Sequence, residues 1–135
     1  MTQLTWNYSL RIGIGVFDKQ HQGLVDTINE LQDSVEAGSD HGVTGPLLEK
    51  LAADTRSHFS DEQDMMTSSR YPAAKLHALK HRNLLEKLDA FLARHGVGSV
   101  PLDQHSLNFL RDWVSTHIQS DDLNFGLWLN EHGKR

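Results

Sequence analysis

The sequence predicts an all-α protein: an antiparallel up-down-up-down four-helix bundle with an N-terminal arm and a short C-terminal helix. Two observations support this class. Four segments carry apolar residues at spacings of three and four, the period of an amphipathic helix, and short stretches with glycine or proline separate them. Helices with short connections pack as antiparallel neighbours. At 135 residues the chain is near the size of one domain, so we expect residues 1–135 to form a single domain.

Each element has its own signal in the sequence. Glycines interrupt the alternation of apolar residues in 1–17, which favours an ordered arm over a strand. Asp18 is the expected N-cap of the first helix, and prolines at 46, 72 and 101 are expected to open the other three. The predicted helices cover about 19–37, 46–67, 72–94 and 101–120, and a tail over 121–135 contains the short terminal helix.

The composition excludes several classes of function. The chain contains no cysteine, which rules out disulfides, thiolate metal sites and cysteine-bound iron–sulfur clusters. A formal net charge of −5 argues against a nucleic-acid partner, because such proteins present a basic face. No apolar run approaches the roughly 20 residues of a membrane span. The N-terminus lacks the basic start and apolar core of a signal peptide, so we expect a cytoplasmic protein without a membrane partner.

Seven polar residues occupy helix positions where the periodicity expects apolar core residues. In an alternating bundle, the starts of the first and third helices and the ends of the second and fourth lie at the same end, so these residues converge. Asp122 is the exception: it follows His117 by five residues, which is off the face of a regular helix, and it converges only if the fourth helix ends or distorts there. The seven are His21, His58, Glu62, His77, His81, His117 and Asp122.

The chemistry of these seven groups favours a metal centre. An unpaired buried polar group costs on the order of 1–3 kcal/mol. Hydrogen bonds among the groups would satisfy some of them, whereas bound metal would satisfy all. One zinc takes four ligands, so seven ligands favour two metal ions. Glu62 and Asp122 are the candidates to bridge them, and carboxylate bridges shift the preference among metals towards iron or manganese.

The sequence resembles the hemerythrin family, and in particular its single-domain bacteriohemerythrins. The matching segments are DKQHQGLVDTINEL around His21, HFSDEQDMM with His58 and Glu62, YPAAKLHALKH with both histidines of the third helix, and FLRDWVSTHIQSDD at the end of the fourth. The N-terminal Trp6 followed by residues 12–14 also fits. The resemblance extends from Trp6 to about Leu129 and includes the five-residue step to Asp122.

The resemblance implies a non-haem di-iron centre that binds O2 reversibly. His77, His81 and His117 would hold one iron, and His21 and His58 the other. Glu62, Asp122 and a solvent-derived oxo or hydroxo group would bridge the two ions. The iron with two histidines would then keep one open position, where O2 would bind as the ligand.

We also expect a dry pocket over the open iron, because apolar residues share helix faces with the predicted ligands. Family members more often carry leucine at the place of Val114, so the smaller valine is expected to widen the pocket and admit water or anions. The expected pocket residues are Leu24, Val25, Ile28, Phe59, Trp113 and Val114.

The predicted function is O2 binding for storage, local delivery or sensing, without net chemistry on the ligand. The alternative is an enzyme on the same site: a di-iron oxidase, a peroxidase or a nitric-oxide-handling protein. No additional inward acid, tyrosine or proton relay in the sequence favours the enzyme. We expect a monomer, with a transient protein partner possible if O2 occupancy is signalled.

Overall fold

The computed structural model describes residues 10–95 and 100–135, and the described chain is helical. Trp6 and Tyr8 of the predicted arm lie outside the described residues. A short π-helical segment separates the last two helices. The elements are α1 (Gly15–Glu36), α2 (His41–Ser69), α3 (Ala74–His95), α4 (Gln104–His117), the π segment (Ile118–Asp122) and α5 (Leu123–Glu131).

The first four helices form the predicted bundle. Helix α1 packs against α2 and α4, and α2 packs against α3. The apolar faces meet in one core, in which Ile28, Leu51, Leu107 and Leu110 are fully buried. Across residues 10–95 and 100–135 no strand occurs. The all-helical fold class and the short C-terminal helix are therefore confirmed.

Helix α1 begins earlier than predicted. It starts at Gly15 after an extended Ile14, so Asp18 lies inside the first turn and is not the N-cap. The Asp18 carboxylate instead accepts hydrogen bonds from the backbone N–H groups of Ile12 (2.7 Å) and Gly13 (3.2 Å). Asp18 thus connects the arm to the helix. It is a residue type that often caps helices, but the N–H groups that it satisfies belong to the arm.

Two other helix starts also differ from the prediction, because an aspartate rather than a proline sets each one. Helix α2 begins at His41, where the Asp40 side chain accepts from the Gly42 N–H at 2.9 Å. Pro46 lies inside the helix, where it forgoes one backbone hydrogen bond. Helix α4 begins at Gln104 because Asp103 accepts from the Ser106 N–H at 2.8 Å.

The end of the arm lies directly against α5. A Cβ atom added to Gly126 would come within 2.1 Å of the Ile12 carbonyl oxygen. Beside this contact, the Asn130 side-chain amide donates to the Gly13 carbonyl at 3.0 Å. Glycine is therefore required at 126 for the close approach, and the contact fixes α5 immediately after the π segment.

Among the described helices, none combines the length and the apolar composition that crossing a bilayer requires.

Candidate metal centre

Seven buried polar side chains meet at one end of the bundle. They come from the first turns of α1 and α3, the later turns of α2, the last residue of α4 and the last residue of the π segment. None of them is more than 7% exposed. They are the seven residues that the sequence predicted as ligands: His21, His58, Glu62, His77, His81, His117 and Asp122.

The larger of two ligand groups combines three histidines with both carboxylates, and its ligand atoms lie within 4.8 Å of one another. The Nε2 atom of His81 is 3.2 Å from Nε2 of His117 and 3.2 Å from a Glu62 oxygen. Asp122 Oδ1 is 3.0 Å from Nε2 of both His77 and His117. Three imidazoles and two carboxylates thus surround one position.

The smaller group combines His21 and His58 with the same two carboxylates. The two Nε2 atoms are 2.8 Å apart. Asp122 Oδ2 is 2.9 Å from His21 Nε2, and Glu62 Oε1 is 3.4 Å from His58 Nε2.

Asp122 lies between the two groups. Its Oδ1 faces the three-histidine group and its Oδ2 faces the two-histidine group. Glu62 also takes part in both, with Oε1 close to His58 and His81. This is the placement that carboxylates shared by two cations require.

The buried atoms of this cluster fit two metal ions better than they fit one another. Both Glu62 oxygens lack a hydrogen-bond partner, and each such group costs about 1–3 kcal/mol when left unsatisfied. The paired Nε2 atoms of His21 and His58 can share only one proton between them. Cations between these atoms would satisfy the oxygens and the ring nitrogens together. Seven imidazole and carboxylate donors exceed the four ligands of one zinc, and the mixture suits iron or manganese.

The π segment explains how Asp122 reaches the cluster. In an α-helix each residue turns by about 100°, so the residue five after His117 leaves the face that the fourth residue shares. Here the backbone N–H of Leu123 donates to the carbonyl of Ile118, five residues earlier. The wider turn accommodates one more residue and brings Asp122 back to the His117 face. The predicted distortion at the end of the fourth helix is thus present as a π-helical turn.

Three polar side chains outside the cluster contact the outer nitrogens of ligand histidines, and the sequence analysis missed all three. Gln20 Oε1 is 2.5 Å from Nδ1 of His58, and Gln63 Oε1 is 3.1 Å from Nδ1 of His81. Asp121 Oδ2 is 3.4 Å from Nδ1 of His117, and Asp121 Oδ1 pairs with Lys80 at 2.6 Å.

The glutamine oxygens at His58 and His81 can accept the Nδ1 proton, which leaves Nε2 free to bind metal. The Asp121 carboxylate is an ion-pair contact to Nδ1 of His117, which has no hydrogen-bond partner. Each of these residues directly precedes or follows a predicted ligand in the sequence, and this adjacency could have suggested a role. The sequence does not show that each side chain points towards a histidine on another turn or another helix.

Burial keeps two of the histidines neutral. It lowers the pKa of His81 to about 2, with the nearby His77 and His117 imidazoles adding to the effect. Burial also lowers the pKa of His58, and the hydrogen bond with Asp122 only partly offsets this. Neutral imidazole is the form that binds metal.

The two carboxyl groups have pKa values shifted in opposite directions. Burial and the neighbouring Asp122 charge raise the pKa of Glu62 well above its ordinary value. For Asp122, burial favours the neutral acid, but hydrogen bonds and charge from His117, with hydrogen bonds from His21 and His58, hold its pKa well below the usual range. Two buried carboxylates this close resist joint ionisation unless positive charge lies between them. This electrostatic need again fits cations at the cluster.

A small cavity of about 10 Å³ adjoins the centre, close to the space that one water molecule occupies. Four of the six predicted pocket residues line it: Leu24, Phe59, Trp113 and Val114. Val25 and Ile28 do not; they are buried in the core on the same helix. The sequence shows that these two residues lie on the same helix face as His21. It does not show how far along that face the cavity extends.

One further apolar residue, Ile118, lines the cavity and was not predicted from the sequence. Ile118 follows Val114 by four residues, so the two side chains share one helix face, and this spacing was the available signal. Another wall residue, Phe59, is held in place by stacking on the His81 imidazole, with ring centroids 3.7 Å apart and planes within 2°. Ligand histidine and apolar wall therefore support each other's positions.

The fold and the cluster together define a four-helix bundle with a candidate dinuclear metal centre. A family model described as the hemerythrin HHE cation binding domain matches residues 12–129. The chain belongs to the hemerythrin family.

Individual relatives and a solved structure agree with this assignment. A bacteriohemerythrin of Pseudomonas aeruginosa is 30% identical over 93% of this chain and 80% of its own length. Myohemerythrin-1 of Phascolopsis gouldii is 29% identical, with 89% of each chain covered. A crystal structure of wild-type hemerythrin superposes with a TM-score of 0.85 at 25% identity, covering 93% of this chain and 96% of that one. The similarity thus extends along nearly the whole length.

Proposed function

We propose that this protein binds O2 reversibly at a di-iron centre and serves in oxygen storage, delivery or sensing. His77, His81 and His117 would hold one iron, His21 and His58 the other, and Glu62 and Asp122 would bridge them together with an oxo or hydroxo group. When bound, the two irons supply the two-electron exchange on which reversible O2 binding depends. The remaining contribution comes from the chain itself.

The single observation that supports O2 binding best is the position of the small cavity. It touches both histidines of the smaller ligand group, His21 and His58, but only one of the three histidines of the larger group, His117. The smaller group offers four protein ligands and the larger offers five. Space for a small ligand therefore lies beside the ion that has fewer protein ligands.

The apolar wall of this cavity supports binding without further chemistry. Phe59, Trp113 and Val114 present carbon surface around a space no larger than a water molecule. Such a wall limits the water and the anions that reach the cavity. We propose that the protein performs no net reaction on O2.

Three further properties stay predictions from the sequence: a cytoplasmic location, a monomeric state and a transient protein partner.

An oxygen cycle tests the proposed function. The protein is loaded with ferrous iron under anaerobic conditions, its metal content is measured, O2 is added, and O2 is then removed while the visible spectrum is recorded. We expect two irons per chain and full return of the ferrous spectrum. Steady consumption of reductant with O2 would instead identify an oxidase, and fewer than two irons at full loading would contradict the site. The His21→Ala variant, which lacks a ligand of the smaller group, is the matched control for loss of O2 binding.

A further inference from the structure

A second, larger cavity lies on the outer surface between α3 and α4. It has a volume of about 450 Å³, within the range of ligand-binding clefts in proteins. The small cavity beside the centre is distinct from it, yet the two share two wall residues, Trp113 and His117. The outer groove therefore adjoins the metal centre through one imidazole.

The apolar part of this groove suits a flat ring. Leu84, Phe109 and Trp113 line it, and Phe109 is 40% exposed. Apolar and aromatic walls of this kind favour an occupant with a flat, largely apolar ring.

The charged residues at the rim favour an occupant without net charge. Lys80 and Lys87 line the groove together with Asp112 and Asp121, so two positive charges balance two negative ones. Lys80 and Asp121 pair directly at 2.6 Å. Because the charges of the rim cancel, an ionic ligand would gain little net electrostatic attraction there, and a neutral ring with polar oxygens suits the groove.

His117 gives the groove a short connection to the centre. It is the most exposed of the five ligand histidines, at 7%. Its Nδ1 faces Asp121 in the groove wall, and its Nε2 lies 3.0 Å from Asp122 Oδ1 and 3.2 Å from His81 Nε2. One imidazole ring therefore separates an occupant of the groove from the ligand cluster. A further outer cavity, of about 180 Å³ beside His58, has mostly polar walls and no other ring.

We propose that the groove between α3 and α4 binds a neutral hydroquinone, which reduces the oxidised centre through His117. This inference rests on the proposed function, because a di-iron O2 carrier that has lost its electrons must regain two. The hydroquinone loses two electrons and the protons of its two O–H groups and becomes the quinone. The protons leave to water at the open mouth of the groove. The electrons pass through the His117 ring and reduce two ferric ions to ferrous, one electron for each.

Binding is tested first on the metal-free protein, so that the result does not depend on the proposed function. Menadione, a neutral naphthoquinone, is titrated while NMR shifts of groove residues are recorded. We expect saturable shifts confined to the groove. Phe109→Ala should weaken binding by about 3- to 10-fold, as the loss of one aromatic contact predicts. Leu127→Ala, at an exposed apolar residue on α5, should leave binding unchanged. Shifts that do not saturate, or that Phe109→Ala leaves unaltered, would overturn the site.

Electron transfer is tested on the iron-loaded, oxidised protein. Menadiol is mixed with it anaerobically, and the rate of reduction is followed at increasing concentration. We expect the rate to saturate near the binding constant of the metal-free protein and the sulfonated, anionic analogue to saturate only at higher concentration. A rate that rises linearly for both donors, or that Phe109→Ala does not change, would refute the inference. Failure of the oxygen cycle with intact menadione binding would instead refute the proposed O2 function.

Discussion

Asp121 offers the sharpest test of how the chain supports its centre. The carboxylate contacts Nδ1 of His117 at 3.4 Å and is itself held by Lys80 at 2.6 Å. Asp121→Ala removes both the acceptor and the charge. Asp121→Asn keeps an oxygen that can accept from Nδ1–H and removes only the charge. Loss of such an outer contact typically lowers metal affinity by about 10- to 100-fold, or roughly 1.4–2.7 kcal/mol.

We expect Asp121→Ala to release iron to a chelator about 10- to 100-fold faster than the unaltered protein. Asp121→Asn should release it at an intermediate rate. Both variants should raise the reduction potential, because a negative charge beside His117 favours the ferric ions. The assays are anaerobic iron transfer to a chelator and a spectroscopic redox titration.

Asp112→Asn serves as the matched control, since it removes the same charge from the same groove. We expect it to leave the iron-release rate unchanged. Equal release rates for Asp121→Ala and Asp112→Asn would show that the contact with His117 does not support the centre. A potential that stays fixed in both Asp121 variants would refute the electrostatic part of the argument.

Four further predictions concern the bridge, the cavity, the arm and the titration of a ligand. Glu62→Ala should lose at least one metal ion, and retention of both in metal analysis would exclude bridging. Val114→Leu should fill the cavity of about 10 Å³ and slow autoxidation in air; an unchanged or faster rate would contradict this. Gly126→Ala should lower the free energy of unfolding by about 1–3 kcal/mol in denaturant titrations, since its Cβ would lie 2.1 Å from the Ile12 oxygen; an equal free energy would argue against the close contact. In the metal-free protein, His81 should stay neutral at pH 5 in ring-nitrogen NMR, because burial lowers its pKa to about 2; protonation near its ordinary pKa would show that the ring is not buried.

The helical fold and the candidate cluster were predictable because period and spacing are written directly in the sequence. His58 with Glu62, and His77 with His81, each share a helix face through a four-residue step. Alternating helix directions then bring these faces to one end. Local side-chain spacing and chain direction are enough for this inference.

The remaining features depend on contacts between distant segments. Asp18 resembles an N-cap because capping uses the same residue type, but its partners are arm N–H groups. Gly126 shows its role only where Ile12 crosses it. Gln20 contacts His58 across two helices. Sequence periodicity gives the inward face of a helix but not the partner that a polar side chain finds there.

The π segment has a consequence for the His117 ring itself. In a regular α-helix, the residues three and four positions later neighbour His117, and the residue five positions later does not. The wider turn lets two consecutive aspartates reach the same imidazole, Asp121 at Nδ1 and Asp122 at Nε2. Deleting one residue between 118 and 120 would restore a regular turn and move both aspartates by one position relative to the ring. The protein thus specifies this ligand by the length of the chain as well as by the identity of its residues, and insertions or deletions here would be felt more strongly than most substitutions.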